Sequence, residues 1–224
     1  MKTMRLCICL FAVFWVNSLF AQEELGNGLL FPQFENGIVV YKKGSRIPVQ
    51  LNYNMLQQAM LYLDNENNVM ELAELNNILV VLIGERRFLP IKGIFYEEVI
   101  AGEGSFFIQH KAVMISQGKA AAYGGYSQTS AITSIESIQG SSTDTRGSYT
   151  ELKVDEKFRM KRESGYYIKS GNSYKRFISA KTLGKLFKGQ ASKIQEYAKE
   201  QSIDFSNTED IAKITEYAFS LMNK

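Results

Sequence analysis

The chain has 224 residues, with 26 Lys or Arg against 23 Asp or Glu, 45% hydrophobic residues, one histidine and two cysteines. So small a charge excess excludes a whole-protein basic field that would steer the chain to nucleic acid. A single histidine, with both cysteines at the extreme N-terminus, excludes a zinc site of His and Cys type within one chain.

Residues 1–21 read as a secretory signal peptide. Lys2 and Arg5 form a basic start, Leu6 to Val16 an apolar run, and Ala21 a small residue at the cut. The run falls short of the roughly 20 residues that a membrane-spanning helix needs. Cleavage after Ala21 removes Cys7 and Cys9, so the mature chain is expected to start at Gln22 without any disulfide, thiolate or site for lipid attachment. Removing Lys2 and Arg5 leaves 24 basic against 23 acidic groups over 203 residues, enough for a core of its own. The expected location is periplasmic or extracellular, in solution, with no transmembrane segment after cleavage.

From 22 to 117 the pattern predicts an antiparallel β region. Gly37 to Tyr41 is β-branched and aromatic, and Lys42 to Ser45 supplies a turn. Arg46 to Tyr53 alternates, with Ile47, Val49, Leu51 and Tyr53 on one side, the period-2 mark of a half-buried strand. Met60–Leu63 and Val69–Leu72 flank the polar connection Asp64–Asn68. Ile78–Ile83 and Arg87–Ile91 flank Gly84–Arg86, and Phe95–Ile100 and Ser105–His110 flank Ala101–Gly104. Pro48 and Pro90 belong at strand ends, edges or bulges, because proline donates nothing to a ladder.

Residues 118–148 read as a loop or linker. Between 123 and 148 there are 7 Ser, 4 Thr and 4 Gly, too little apolar area to offset the entropy of ordering. Strand pattern resumes at 149, where Phe158 and Met160 alternate with Lys157, Arg159 and Lys161, and Tyr166–Ile168 and Tyr174–Phe177 flank a Ser170–Asn172 turn. The end of the chain turns helical. Ser179 caps a short helix carrying Leu183, Leu186 and Phe187. Ser192 to Gln195 and Ser206 to Glu209 have capping-box spacing, and Ile211, Ile214, Ala218 and Leu221 make one apolar stripe. The fold class is therefore α+β: an antiparallel region (sheet, sandwich or barrel), then a short β hairpin unit and a helical tail at 149–224.

Four segments carry a resemblance: Leu51–Asn54, Ile83–Phe88, Tyr123–Ser130, and the run from Tyr166 through Leu186 and Phe187 to the last helix. With these, nearly the whole mature chain resembles a family of small exported proteins from Gram-negative bacteria. The resemblance implies export and this architecture, and it implies no activity.

Catalytic signatures are weak. Gly125 to Thr129 approaches a Gly-x-Ser-x-Gly elbow but ends in Thr, which would leave Ser127 with His110, an ordinary strand residue by its alternation. Glu97 and Glu98 are adjacent, so a strand points them to opposite faces and they make no acid/base pair. Gly102–Gly104 lacks the third glycine of a dinucleotide fingerprint. Asp64–Asn68 lacks the glycine and the twelfth-position glutamate of a calcium loop and reads as a solvated hairpin tip. No catalytic residue, metal or cofactor is assigned.

Charge partition is the positive signal. Residues 22–148 hold 9 basic and 13 acidic groups, and residues 149–224 hold 15 basic and 10 acidic. The candidate binding residues are Lys157, Arg159, Lys161 and Arg162, with Tyr123 and Tyr126 beside a Gly-Gly pair that permits unusual backbone angles. The leading expectation is a non-enzymatic binding or interaction module of the bacterial cell envelope with an anionic or protein partner. The alternative is a secreted hydrolase using carboxylates that sequence spacing does not reveal.

Overall fold

Alternating apolar side chains make two-faced strands, and each must bury one face. In the computed structural model, which describes residues 28–120, 126–127 and 156–222, they do so by curling one large sheet. The strands are β1 (Glu35–Tyr41), β2 (Arg46–Asn54), β3 (Ala59–Leu63), β4 (Val69–Glu71), β5 (Ile78–Ile83), β6 (Arg86–Ile91), β7 (Ile94–Ala101), β8 (Gly104–Gln109), β9 (Ala112–Ala120), β10 (Tyr126–Ser127), β11 (Glu156–Arg162), β12 (Gly165–Ser170) and β13 (Ser173–Phe177). Three helices follow, α1 (Ala180–Gly184), α2 (Ala191–Glu200) and α3 (Thr208–Ser220). The arrangement is α+β, with every ladder antiparallel.

Ten strands form one sheet in the order β13-β12-β8-β7-β6-β5-β1-β2-β3-β4, and β10-β9-β11 form a second. Neither proline interrupts a two-sided ladder. Pro48 pairs with Ile38 of β1 where β3 has not yet begun to pair, and Pro90 pairs with Phe95 beyond the last β5–β6 partner. The sheet curls until β3 approaches β7, and the Ala112 amide donates to the Met55 carbonyl across the gap at 3.0 Å. Among the described residues no ladder closes the curl into a barrel.

The concave face holds two cores. One is built from Val39, Leu51, Tyr53, Met60, Phe88 and Phe95, with Met160 of β11 packed against it. The other joins Phe106, Ile108, Tyr166 and Phe177 to Leu183, Ile194 and the α3 stripe Ile211, Ile214 and Ala218, all buried. Gly104 permits the helix contact, since a Cβ there would lie 2.5 Å from the Phe219 ring. β7 serves both cores. Phe95 enters the first, Ala101 the second, and buried Glu97 lies between them.

Several expectations need correction. His110 lies one residue beyond β8 and is buried, so it is no ordinary strand residue. The Ser192 capping box does not form. α2 starts at Ala191 after Gln190, with no side-chain cap, because Ala191 packs closely on Gly184 of α1. The Ser206 box shifts by one residue. Asn207 caps α3 by accepting from the Glu209 amide, while Asp204 takes both the amide and the hydroxyl of Ser206. Ser179 caps α1 as expected, in a box closed by Thr182.

At the stated boundaries, β9 runs to Ala120, past 117, and β12 pairs directly with β8, so strands on both sides of 118–148 share one sheet. The signal segment 1–21, most of the Ser/Thr-rich stretch, and Tyr123 lie outside the described residues.

Candidate functional site

Two arrangements of polar and aromatic side chains stand out, on opposite faces of β7. Alternation turns Arg86 to the same side as Phe88, and Glu97 to the same side as Phe95, so a cation and an anion enter an apolar interior together. The Arg86 guanidinium forks onto Glu97, with Nε to Oε1 and Nη2 to Oε2 both at 2.6 Å. His110 Nε2 lies 2.6 Å from the same Oε2. Arg86 also lies over the rings of Phe31 and Phe88, at 4.8 and 5.4 Å from their centroids.

Burial works to raise the Glu97 carboxyl, but the bonds from His110 and Arg86, together with their charge, outweigh it and hold the group at about 2. Burial lowers His110, and the Arg86 and Arg162 charges add to that effect against the pull of Glu97. The ring is therefore neutral at pH 7. An ionised carboxylate only accepts, so the His110 proton sits on Nε2 and is donated to Glu97. Arg86 Nη2, 3.2 Å from that nitrogen, is then a donor beside a donor and makes no hydrogen bond with it. Tyr53 Oη, deeper in the same core, is buried without a partner among the described residues, and burial raises its phenol.

This node suits structure better than proton transfer. A general acid needs a raised carboxyl. Every carboxyl displaced among the described residues, Asp64, Glu97, Asp204 and Asp210, is displaced downward. Asp64 accepts from the Glu66 and Asn68 amides, closing the hairpin tip it was expected to form. Two open grooves, of 540 and 340 Å³, include neither Glu97 nor His110 in their lining.

The convex face of β7, β8, β12 and β13 is different. Tyr96 meets Tyr167 edge-on at 5.2 Å and stacks with Tyr174 at 5.9 Å, and Tyr174 stands edge-on to Phe107 at 4.9 Å. The Tyr167 hydroxyl donates to Gln109, which reaches Gln58 in the β2–β3 turn. In register, Lys169 lies opposite Tyr174 and Arg176 opposite Tyr167, both exposed. Glu98, on this face, is paired with Arg87 at 3.2 Å, while Lys169 and Arg176 have no ion pair among the described residues. As expected, Glu97 and Glu98 point to opposite faces.

Of the residues singled out from sequence, Arg159 and Lys161 are exposed on β11, and Lys161 pairs with Glu163 at 3.2 Å. Arg162 is exposed as well, one step out of alternation with those two, on the side of Met160 and near enough to act on His110. Lys157 lies on β11, and Tyr126 and Ser127 on β10. Sequence reasoning missed the Arg86–Glu97–His110 node and the tyrosine face. The signal for both was present: a charge in inward register with Phe95, and tyrosines in outward register. No protein family, curated protein or solved structure matches the chain.

Proposed function

We propose that the protein is an exported, non-enzymatic binding module of the bacterial cell envelope, and that it holds an anionic partner against the convex tyrosine face. One observation carries the reading: three half-buried tyrosines share one sheet face with two exposed cations, Lys169 and Arg176. Tyrosine offers an apolar ring and a polar tip at small entropic cost. The partly positive C–H faces of a sugar ring complement the negative ring face, and the cations meet carboxylates. The exposed cations of β11 offer a second contact for the same partner. Among the described residues no helix is long and apolar enough to cross a membrane, and the basic–apolar–small layout of residues 1–21 supports export.

Retention on immobilised polygalacturonate tests the reading, with phosphatidylglycerol vesicles as the lipid comparison. Each aromatic contact is worth about 0.5–1.5 kcal/mol, so Tyr96→Ala with Tyr174→Ala should weaken retention roughly 5- to 150-fold. Retention should also fall with salt, because exposed charges act over about 8 Å at physiological ionic strength. A variant carrying Gln at Lys157, Arg159, Lys161 and Arg162 separates the β11 contribution. A wild type that binds neither surface, or a tyrosine variant that binds like the wild type, overturns the proposal.

A further inference from the structure

The ten-stranded sheet ends on two strands of opposite character, β4 and β13. β4 is exposed along its whole length, with Val69 and Met70 at 55% and 44%, and it carries Glu71 with Glu74 close behind. β13 presents Lys175 and Arg176 to solvent, and Ile178 just beyond it is 64% exposed. Among the described residues the ladder bonds of β4 run only to β3 and those of β13 only to β12. The outward row of amides and carbonyls on each is a template for another strand, up to Phe177 on β13, since the Ile178 amide donates to Thr182 Oγ1 at 2.9 Å.

Charge decides which strand. Two β4 edges offer Glu71 no cation in any register, and two β13 edges would crowd four cations, which destabilise a ladder when they face one another. A β4 edge against a β13 edge sets opposite charges together. We propose that copies of this chain associate head to tail, the β13 edge of one copy pairing with the β4 edge of the next and continuing the sheet.

The face pattern selects an antiparallel register. Glu71 shares the convex face with Leu61, its partner on β3, and Arg176 shares it with Tyr167. Met70 lies beside Tyr62 on the concave face, and Phe177 beside Tyr166. Placing Glu71 opposite Arg176 keeps both faces aligned, puts Met70 opposite Phe177, and brings exposed Val69 against exposed Ile178. Such a contact is heterologous, so it leaves a free edge at each end and builds an open series rather than a closed dimer. A ladder of three residues falls far below the roughly 1,200 Å² of a stable interface, so association is weak and concentration-dependent. It stands independently of the anionic partner.

Sedimentation velocity of the purified protein from about 10 μM to about 1 mM, without ligand, tests this. The wild type should show a sedimentation coefficient that rises with concentration, and falls with salt, without levelling at a dimer. Glu71→Arg puts arginine at the facing position of both edges, and Arg176→Glu puts glutamate at both, so each variant alone should stay monomeric. An equimolar mixture of the two should associate again, because each basic edge now finds an acidic one. That recovery also shows both variants to be folded. A wild type that is monomeric throughout or stops at a dimer, single variants that associate like the wild type, or a mixture that stays monomeric would each overturn the proposal.

Discussion

Replacing Glu97 with Gln removes the one charge that joins β6, β7 and the end of β8. The amide can still accept one bond from Arg86, but in either orientation its NH2 then faces a second N–H of the guanidinium. Glu97 sits at about 2 instead of the model-compound 4.5, and at about 1.4 kcal/mol per pKa step that corresponds to about 3 kcal/mol. Breaking a buried pair typically costs about 3–5 kcal/mol. The Arg86 side chain is 34% exposed, so water recovers part of the loss, leaving about 2–3 kcal/mol. For a chain of this size that is a fall in Tm of roughly 5–10 °C. The sign with pH follows from a folded carboxyl held below its unfolded value: the stabilisation is complete above about 4.5 and fades as pH falls toward 2. Urea titrations of wild type and variant at pH 7.5 and pH 3 should therefore show a gap that shrinks by about half at the lower pH. A gap below about 1 kcal/mol at pH 7.5, or one equal at both pH values, would refute the assignment of Glu97 as a buried, paired charge.

His110 is the only histidine, so side-chain titration between pH 7.5 and 5.5 isolates it. Its folded pKa lies below the ordinary 6.5, so the stability it confers is complete above about 6.5 and is lost as pH falls below that, when the unfolded chain takes the proton first. The Tm of the wild type should drop across this window and that of His110→Gln should stay nearly flat; equal slopes would count against a buried neutral imidazole. Ile214 is fully buried in the core beneath α3. Ile214→Asp loses about 1.5–3 kcal/mol of apolar burial and adds a buried charge without a partner, so Tm should collapse, whereas exposed Lys213→Asp should leave it nearly unchanged. Equal tolerance of the two changes in a thermal melt would mean that α3 is not docked.

Much of the strand pattern was legible because turns and alternation coincide. Lys42–Ser45 and Asp64–Asn68 connect neighbouring strands where turn chemistry had placed them, and the turn expected at Ala101–Gly104 narrows to Gly102 and Glu103. The order of strands in the sheet was not legible, since β5 returning to β1, and β12 to β8, depends on burial between segments distant in sequence. Helix caps slipped by two residues at α2, where Ala191 packs on Gly184 of α1, and by one at α3, where the local Asp204 carboxylate takes Ser206. At the candidate sites, the sequence pattern put Arg86 in a turn and set Glu97 and Glu98 on opposite faces without telling which faced inward, and only topology brings His110 to them. The basic character of 149–224 was visible, whereas the tyrosine face that gathers Tyr96 from one hairpin and Tyr167 and Tyr174 from another was not.

The pairing of β12 with β8 also sets when the molecule can fold. Tyr167 and Gln109, hydrogen-bonded in the finished sheet, are 58 residues apart. A chain made from its N-terminus can form the β1–β4 and β5–β7 meanders early, since within each the strands join their neighbours through short turns. The second core cannot close then, because the partners of Phe106 and Ile108 belong to β12, β13 and the helices, the last residues to be synthesised. Non-local pairing of this kind slows folding more than it weakens the product. The first core can therefore form while the second waits for the last third of the chain, and α3 then seals the sheet over Phe106 and Ile108.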